Sequence, residues 1–284
     1  MTVGELLKKA TSIFKEGNNV KTPAREAGVI LSHLIKCDKI FIYTNADLNI
    51  DEVKAKEYIE TVFLRAKGFP LQYITGHQEF MSLDFFVNPD VLIPRQDTEI
   101  LVETVLEQIK GLHKTHIHIL DIGTGSGCIG VSLAYYLPLS RVAAIDISKK
   151  ALEVGRINAE RMGVHSRVTF LESNLFERLE KGKLFDVIVS NPPYIPSSHI
   201  SGLQIEVREY EPLNALDGGE DGLEFYRSII KDAGRFLNPR GILAVEVGYN
   251  QAGDVAELMS LEFTDITIVK DLSKIDRVVS GRLK

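Results

Sequence analysis

The sequence has few cysteines, no long apolar run and no excess of basic residues, and each shortage excludes a class of protein. Cys37 and Cys128 are the only cysteines among 284 residues, and neither belongs to a C-x-x-C pair. A disulfide framework or a zinc site is therefore not predicted. No run approaches the length of a membrane span, and the first residues lack the apolar core of a signal peptide. We expect a soluble cytoplasmic protein without a bound metal and without a membrane contact.

The charge balance is slightly acidic, with 33 basic and 39 acidic side chains and a formal net charge of -6. Such a surface has no general attraction for nucleic acid phosphates or anionic lipid, although a local basic patch can hide in the average. We therefore expect no stable binding of nucleic acid. No heptad pattern or large apolar patch is apparent, so we also expect a monomer.

The chain changes character twice, which predicts three parts. Residues 1–70 show helical spacing of apolar side chains, with helix starts at Thr22-Pro23 and Asp51, and they predict a small all-helical domain. Residues 71–95 are rich in aromatic and β-branched side chains between turn formers, which favours a β-hairpin linker. Residues 96–284 form the third part. In the linker, we interpret His77 as a structural or solvated turn residue.

Strands and helices alternate in the third part, which predicts an α/β fold with a parallel sheet and right-handed crossovers. The last two predicted strands are separated by only five residues, too few for a crossover helix, so that pair is expected to be antiparallel. The result is a Rossmann-like, mostly parallel seven-stranded sheet with an antiparallel C-terminal hairpin. The predicted strands are 116–122, 141–146, 167–172, 185–190, 241–247, 265–270 and 276–281, with helices at about 128–137, 148–163 and 221–236.

A glycine-rich junction between the first strand and its helix predicts a nucleoside site. Asp121–Gly127 reads Asp-Ile-Gly-Thr-Gly-Ser-Gly, and such glycines let the backbone turn tightly and approach a ligand closely. Asp146 ends the next strand at the spacing expected of an acid that accepts hydrogen bonds from ribose hydroxyls. After the third strand, Asn174 is placed to bond the adenine edge and Leu175 to pack on its face. The glycines alone do not separate NAD from other adenosine cofactors.

Asn191-Pro192-Pro193-Tyr194 follows the apolar strand 185–190, and around it the rest of the chain is organised. Two prolines stop the strand in a stiff loop at the sheet edge where ligands bind. The Asn191 side-chain oxygen and the Pro192 carbonyl oxygen can accept both hydrogens of one NH2 group, while Tyr194 packs on it. This arrangement suits methyl transfer to a planar amide or exocyclic amine, in which positioning supplies most of the catalysis.

Together these motifs resemble those of class I S-adenosylmethionine-dependent amino-methyltransferases. More narrowly, the chain is similar to the HemK-type release-factor glutamine methyltransferases, from about Tyr73 to the C-terminal Arg277–Arg282. The motifs that carry the narrower resemblance are Pro94-Arg95-x-x-Thr98-Glu99, Ser190-Asn191-Pro192-Pro193-Tyr194-Ile195 and Glu211-Pro212-x-x-Ala215-Leu216-x-Gly218-Gly219-x-Asp221-Gly222-Leu223.

The resemblance implies methylation of the side-chain amide nitrogen (N5) of the glutamine in a Gly-Gly-Gln loop of peptide-chain release factors. S-adenosylmethionine would be the methyl donor and S-adenosylhomocysteine the product, with no metal. The helical N-terminal domain would help to hold the factor. Asn191, Pro192 and Tyr194 would be catalytic, and Asn191–Tyr194 would grip the glutamine. The implied cofactor residues are Gly123, Thr124, Gly125, Ser126, Gly127, Asp146, Asn174, Leu175 and Asn191.

Two departures from the family pattern affect the site. Gln96-Asp97 stands where Pro-Glu is frequent, and Asn174 stands where an Asp is frequent, which keeps an acceptor oxygen but removes a charge. The residues around Thr98 either only start a helix or also lie across the cofactor pocket. Glu211–Leu223, between the fourth strand and the next helix, is expected to cover the pocket. Glu246 is either a pocket acid or paired with backbone amides, and the sequence does not decide.

Three other functions are compatible with parts of the pattern. An adenine or cytosine amino-methyltransferase acting on DNA or RNA has a similar substrate amine, but the acidic net charge argues against it. A non-catalytic adapter that only binds the cofactor or a release factor would not need an intact Asn-Pro-Pro-Tyr loop. An NAD-dependent oxidoreductase would need a proton-transfer residue, and none stands out.

Overall fold

The chain divides into two units. The computed structural model describes residues 1–17 and 19–284. One unit consists of Met1–His77 together with Leu203–Tyr210, and the other consists of Gln78–Gly202 together with Glu211–Lys284. The short segment Leu203–Tyr210 therefore leaves the second unit and returns to it after eight residues. Among the described residues, no helix is both long and apolar enough to span a membrane.

The first unit is helical. The start of the fourth helix is confirmed, because the Asp51 side chain accepts a hydrogen bond from the Lys54 backbone N–H at 3.0 Å. The short third helix was not predicted, although Asp38 caps it in the same way, with the Phe41 N–H as donor. The helices are α1 (Val3–Gly17), α2 (Pro23–Ile35), α3 (Lys39–Thr44), α4 (Glu52–Ala66) and α5 (Leu71–Thr75), with α9 (Ile205–Arg208) from the second segment.

Arg65 is a buried arginine of the first unit that pairs with two glutamates. It is 4% exposed, and its guanidinium donates to Glu26 Oε2 at 2.6 Å and lies 3.1 Å from Glu206 Oε2. Nearby, the ring of Phe69 meets that of Tyr210 edge to face at 5.2 Å. One buried cation and one aromatic pair thus join the helices of Met1–His77 to the segment Leu203–Tyr210.

The chain passes from the first unit into the second in a small hairpin, β1 (His77–Phe80) and β2 (Leu83–Phe86). This hairpin is shorter than predicted, because Tyr73, Ile74 and Thr75 belong to α5. Gly76 ends that helix in the left-handed conformation with φ of 72°, and its N–H bonds the Gln72 carbonyl oxygen. Gly76 therefore ends a helix, and His77, which was predicted as a turn residue, is the first residue of β1.

The seven-stranded sheet is confirmed. Its strand order is β5-β4-β3-β6-β7-β9-β8, in which the pairings from β5 to β7 are parallel and β9 is antiparallel to both neighbours. The strands are β3 (His118–Ile122), β4 (Arg141–Asp146), β5 (Val168–Glu172), β6 (Phe185–Ser190), β7 (Leu237–Glu246), β8 (Phe263–Lys270) and β9 (Asp276–Leu283).

Strand β7 starts four residues before the predicted position. Leu237 pairs with Phe185, and the register then shifts so that Ile242 pairs with Val187. Pro239 and Arg240, the latter with φ of 60°, occupy this bulge. Because a proline and a left-handed residue break the strand pattern, the sequence showed only the second part of the strand.

Helices cover both faces of the sheet. Val187 and Val189 of β6 belong to one buried cluster, and Ile188 between them belongs to the other, so this strand is buried on both sides. Burial on both faces explains why its sequence is a continuous apolar run rather than an alternation. The helices are α6 (Glu99–Lys110), α7 (Cys128–Tyr136), α8 (Lys149–Arg161), α10 (Glu224–Ala233) and α11 (Ala252–Ser260).

Replacing Arg65 by alanine is expected to destabilise the first unit strongly, because Glu26, 8% exposed, would lose its cationic partner. We expect the free energy of unfolding of this unit to fall by about 3–5 kcal/mol. The measurement is urea denaturation followed by far-ultraviolet circular dichroism. Lys56→Ala is the matched control, since Lys56 and Glu60 form an exposed pair worth about 1 kcal/mol or less. Equal losses in the two variants would contradict the assignment.

Candidate active site

A cavity of about 390 Å³ lies in the second unit, at the edge where the parallel strands end. It lies at the ends of β3 and β6, where the strand order reverses: β4 and β5 continue on one side of β3, and β6 and β7 lie on the other. In open α/β sheets ligands bind at such a switch point, because the loops diverge there and leave a crevice. Each predicted site segment follows one of these strands.

The glycine-rich loop after β3 turns in the left-handed region at three positions. Gly123, Gly125 and Gly127 have φ of 69°, 54° and 82°. A Cβ at Gly123 or Gly125 would meet nothing within 4 Å, whereas one at Gly127 would lie 3.2 Å from Gly155 Cα in α8. The first two glycines therefore leave open space beside the cavity that they line, and the third permits close packing of two helices.

Asp121 fixes the glycine-rich loop through hydrogen bonds. It is fully buried, and its Oδ2 accepts hydrogen bonds from Thr124 Oγ1 at 2.6 Å and from the Gly130 N–H at 2.9 Å. Its Oδ1 has no hydrogen-bond partner among the described residues. Burial raises the pKa of Asp121 to about 6, against the lowering effect of those two hydrogen bonds. Asp121 therefore shapes the loop and also leaves one buried acceptor unused.

Asp146 ends β4 and lines the cavity. One carboxylate oxygen accepts from the Gly125 N–H at 2.9 Å, and the other accepts from the Ser148 N–H at 2.9 Å. Ser148 in turn caps α8 through the Ala151 N–H. Asp146 thus also holds the residue that starts α8. Each carboxylate oxygen has a second lone pair, so the residue can still accept hydrogen bonds from a ligand.

The segment after β5 contributes one polar and one apolar side chain to the cavity wall. Asn174 and Leu175 both line it, and Leu175 has a left-handed φ of 46°. Ser173 Oγ donates to the Leu175 carbonyl oxygen at 2.7 Å and accepts from the Arg178 N–H, which holds this strained turn. Asn174 Nδ2 donates to Glu177 Oε1 at 2.9 Å.

The Asn-Pro-Pro-Tyr loop follows β6. Asn191, Pro192 and Pro193 line the cavity. Ser190 Oγ donates to the Ile122 carbonyl oxygen, which ties the end of β6 to the end of β3. Asn191 Nδ2 donates to Thr98 Oγ1 at 3.3 Å, so its amide nitrogen faces the protein. The side-chain oxygen is the group left for a ligand.

Tyr194 packs against the protein instead of lining the cavity. It lies against the apolar cluster that contains Ile188, and its carbonyl oxygen accepts from Gln251 Nε2 at 2.9 Å. Burial raises the pKa of its phenol. In this structure the ring supports the loop from behind.

Comparison with known proteins gives a consistent result over the whole chain. The family model described as "Methyltransferase small domain" matches residues 96–204, and the one described as "PrmC N-terminal domain" matches residues 5–76. A release factor glutamine methyltransferase of Clostridium acetobutylicum is 42% identical over 98% of both chains. One from Geobacter sulfurreducens is 48% identical over 93% of this chain and 91% of the relative. The chain belongs to the release factor glutamine methyltransferase family.

Solved structures agree on the fold over most of the chain. A methyltransferase from Pyrococcus furiosus matches with a TM-score of 0.51 and 19% identity, over 72% of this chain and 90% of that one. At this identity the likeness concerns the fold alone, which is the class I methyltransferase sheet predicted from the sequence.

Of the twelve residues predicted for the site, eight line the cavity described above and four do not. Thr124 and Ser126 are buried in the glycine-rich loop, Gly127 packs on α8, and Tyr194 lies behind its loop. The residues that line the cavity are Gly123, Gly125, Asp146, Asn174, Leu175, Asn191, Pro192 and Pro193.

Sequence reasoning missed other parts of the wall. Asp90, Val91 and Leu92, which follow the small hairpin, line the cavity together with Ile147 and Phe225. Ile147 stands directly after the strand-end acid Asp146, and its side chain is 60% exposed on the cavity wall. No group of three or more potential metal ligands occurs within residues 1–17 and 19–284.

The segment Glu211–Leu223 lines the cavity and is fastened to the Asn-Pro-Pro-Tyr loop. The Ile195 N–H bonds the Leu216 carbonyl oxygen, and the Gly218 N–H bonds the Ile195 carbonyl oxygen at 2.8 Å. At its start, Arg95 Nη2 donates to both carboxylate oxygens of Glu211, at 2.7 and 2.8 Å. Its members on the cavity wall are Pro212, Asn214, Ala215, Asp217 and Gly219.

Gly218→Ala is expected to loosen the Asn-Pro-Pro-Tyr loop, because the new Cβ would lie 2.7 Å from Tyr194 Cα and 2.9 Å from the Pro193 carbonyl oxygen. A backbone clash of this kind costs about 1–3 kcal/mol. The Ile195 N–H bonds the Leu216 carbonyl oxygen and the Ser197 N–H bonds the Gly219 carbonyl oxygen. Hydrogen exchange at these two amides should therefore accelerate, by roughly tenfold for each 1.4 kcal/mol lost. Gly253→Ala, where a Cβ meets nothing within 4 Å, should leave both amides unchanged. Unaltered exchange in Gly218→Ala would show that the two segments are not packed as described.

Proposed function

We propose that the chain transfers a methyl group from S-adenosylmethionine to the side-chain amide nitrogen of the glutamine in the Gly-Gly-Gln loop of peptide-chain release factors. Membership of the family supports the reaction. The observation that carries it in this chain is the orientation of Asn191, whose amide nitrogen is bonded to Thr98 while its oxygen remains for a substrate N–H.

The residues of the cavity fit an S-adenosyl ligand. Gly123 and Gly125 leave open space for a ligand that approaches the backbone closely, and Asp146 retains acceptor capacity for ribose hydroxyls. Ile147 and Leu175 contribute two apolar side chains to the cavity wall on which a flat adenine can pack, and Asn174 contributes a polar group. When bound, S-adenosylmethionine supplies a methyl group on a sulfonium, which is the electrophile of the reaction.

The protein's part in the reaction is to hold the glutamine amide. An amide nitrogen is a weak nucleophile because its lone pair is delocalised. The Asn191 oxygen and the Pro192 carbonyl oxygen would accept its two hydrogens and fix the direction in which it presents the remaining orbital. Pro192 and Pro193 keep these acceptors in place, since their rings restrict the backbone. No side chain has to remove a proton before attack, and the sequence offers no such base at this loop. After the methyl group has left the sulfonium, the methylated nitrogen carries a positive charge and releases one of its two N–H protons to water.

The parts of the chain divide this work. Residues 1–70 are proposed to recognise the factor, residues 71–95 to link, and residues 96–284 to catalyse. In the first unit, Ile40, Phe41 and Tyr43 of α3 are 75%, 40% and 58% exposed, which suits a protein partner better than water. The factor is a translation protein, so the reaction is proposed to take place in the cytoplasm.

The nucleic-acid alternative has less support. The relatives compared above act, by name, on release factors, and the net charge of -6 gives no general attraction for a phosphate backbone. The Asn-Pro-Pro-Tyr loop likewise offers acceptors for an amide, and the described residues of the cavity wall include none of the His, Lys or Tyr side chains that usually exchange a proton in an NAD-dependent oxidoreductase.

The test of the function is mass spectrometry of a purified release factor after incubation with the protein and S-adenosylmethionine. We expect one added methyl group on the Gly-Gly-Gln peptide. Asn191→Ala should lower the rate by roughly 100-fold or more, because an oriented hydrogen-bond acceptor at the reacting group is lost.

The control is Asn238→Ala, which removes an amide side chain that bonds Asp186 near the start of β6 and does not line the cavity, and this variant should methylate normally. Absence of the methyl group with wild-type protein would overturn the function. Methylation by Asn191→Ala at the wild-type rate would overturn the role of that residue alone.

Gly125→Ala tests the cofactor residues separately from the substrate. An alanine at φ of 54° is strained by about 1–2 kcal/mol, and its methyl group would also enter the cavity. Isothermal titration with S-adenosylhomocysteine should show affinity reduced by roughly tenfold or more. Gly163→Ala is the matched control, because Gly163 has φ of 68° and equally open surroundings but does not line the cavity. Equal affinity in the two variants would contradict the placement of the cofactor.

A further inference from the structure

A buried carboxyl group lies behind Asn191. Glu246 is the last residue of β7, and because Ser190 pairs with Val245, Glu246 is level with Asn191 on the neighbouring strand. The residue is 2% exposed, and its Oε2 has no hydrogen-bond partner among the described residues. Burying a carboxyl group without full compensation is costly, so this position needs a reason.

The neighbours of this carboxyl group supply the reason. Asn191 Nδ2 donates to Thr98 Oγ1, and Thr98 is itself 2% exposed. The Thr98 hydroxyl and the Asn191 side chain lie close enough to the Glu246 carboxyl group to stabilise its ionised form, so both lower its pKa. A hydroxyl has a single proton. When Thr98 donates that proton to the carboxylate, it can offer Asn191 only a lone pair.

This arrangement gives the Asn191 amide a direction. Its two ends are nearly identical in shape, so packing alone does not determine which end faces the cavity. A lone pair on Thr98 and an ionised carboxylate both require the NH2 end on the protein side. We propose that Glu246 is a positioning residue which, acting directly and through Thr98, keeps the oxygen of Asn191 facing the substrate amide.

The proposal rests on the function given above, since it concerns the same Asn191. A protonated Glu246 is a donor as well as an acceptor, and it no longer requires the NH2 end of Asn191 to face it. The amide can then rotate and present two hydrogens to a substrate NH2 group, which repels it. The carboxylate form is therefore the active form.

The charges around Glu246 come from several elements. Arg277 of β9 and Asp97 before α6 face it, and Arg277 bonds both Asp97 at 2.9 Å and Asp271 at 2.8 Å. Tyr194, Cys128 of α7 and Tyr226 of α10 also face it, and burial raises the pKa of all three, so they are neutral near pH 7.

Burial is the largest influence on Glu246 and raises its pKa to about 7, against the lowering effects of Thr98, Arg277 and Asn191. Because Glu246 is active as the carboxylate, the rate increases as the pH rises through the pKa of Glu246. We therefore expect kcat of the wild-type protein to rise through about pH 7 and to level off above it.

Glu246→Gln is the first test. Glutamine has nearly the same shape, but it can offer Thr98 either an oxygen or an NH2 group, so the direction of the chain of hydrogen bonds is lost. We expect kcat at pH 8 to fall by roughly 10–100-fold, as when a residue that orients a reacting ligand from behind is removed. The KM for S-adenosylmethionine should be unchanged, and the rise of kcat through pH 7 should be absent.

Thr98 variants test the route. Thr98→Val removes the hydroxyl that lowers the pKa of Glu246, so the rise of kcat should move to higher pH, and Thr98→Ser should restore its wild-type position. Asp186→Asn is the matched control for loss of a buried carboxyl group. Asp186 is the second residue of β6, at the other end of the strand from Asn191, and it accepts hydrogen bonds from the His118 N–H and from Asn238 Nδ2. Asp186→Asn should reduce the stability of the fold and leave the pH dependence of kcat unchanged.

Infrared spectroscopy of the protein alone gives a reading that does not depend on activity. A protonated buried carboxyl band that disappears on raising the pH through about 7, is absent in Glu246→Gln and is displaced in Thr98→Val would support the proposal. A wild-type rate and pH profile in Glu246→Gln would overturn it. If wild-type protein methylates no release factor at any pH, the function fails, whereas the infrared titration still decides whether Glu246 and Thr98 are joined as described.

Discussion

The position of the site depends on one strand, β6, which is buried on both faces and is ended by two prolines. Strand β6 lies between β3 and β7, in the middle of the sheet, and its side chains enter both apolar clusters. Pro192 and Pro193 have no backbone N–H, so the ladder cannot continue beyond Asn191. Because β6 is paired on both sides and ends at these prolines, the backbone of its last residues has little conformational freedom where it reaches the switch point. The other cavity segments then have a fixed partner to pack against.

The sequence predicted the parts of this arrangement that depend on local patterns. The apolar run 185–190, the glycines at 123, 125 and 127 and the acid at 146 each signal their own geometry, because strand, turn and strand end are determined over a few residues. The ends of parallel strands meet at one edge, which brought Gly123, Asp146, Leu175 and Asn191 into one cavity as predicted. Local patterns failed where two signals conflicted, as at Pro239 in β7, and where a helix was short, as in α3.

Contacts between distant loops could not be predicted. Thr98 and Asn191 are 93 residues apart, and each has a sufficient local explanation, the one as a helix start and the other as a strand end. Arg65 and Glu206 similarly look like ordinary surface charges in their own helices, although Arg65 is buried. Such pairs are determined by tertiary packing, which no periodicity reports. Tyr194 shows the same limit, since an aromatic residue in a ligand loop can face the ligand or the core.

Two buried acids, Asp121 and Glu246, oppose folding at neutral pH. Burial raises the pKa of Asp121 to about 6 and that of Glu246 to about 7. The folded chain therefore holds protons that the unfolded chain has released above about pH 4, so stability falls as the pH rises from there to about 7. The cost is on the order of a few kcal/mol for each group. Both acids lie beside the cavity segments, and each has a carboxylate oxygen without a partner among the described residues. Strain of this kind persists where the position of a functional group requires it, and here that requirement is the orientation of the glycine-rich loop by Asp121 and of Asn191 by Glu246.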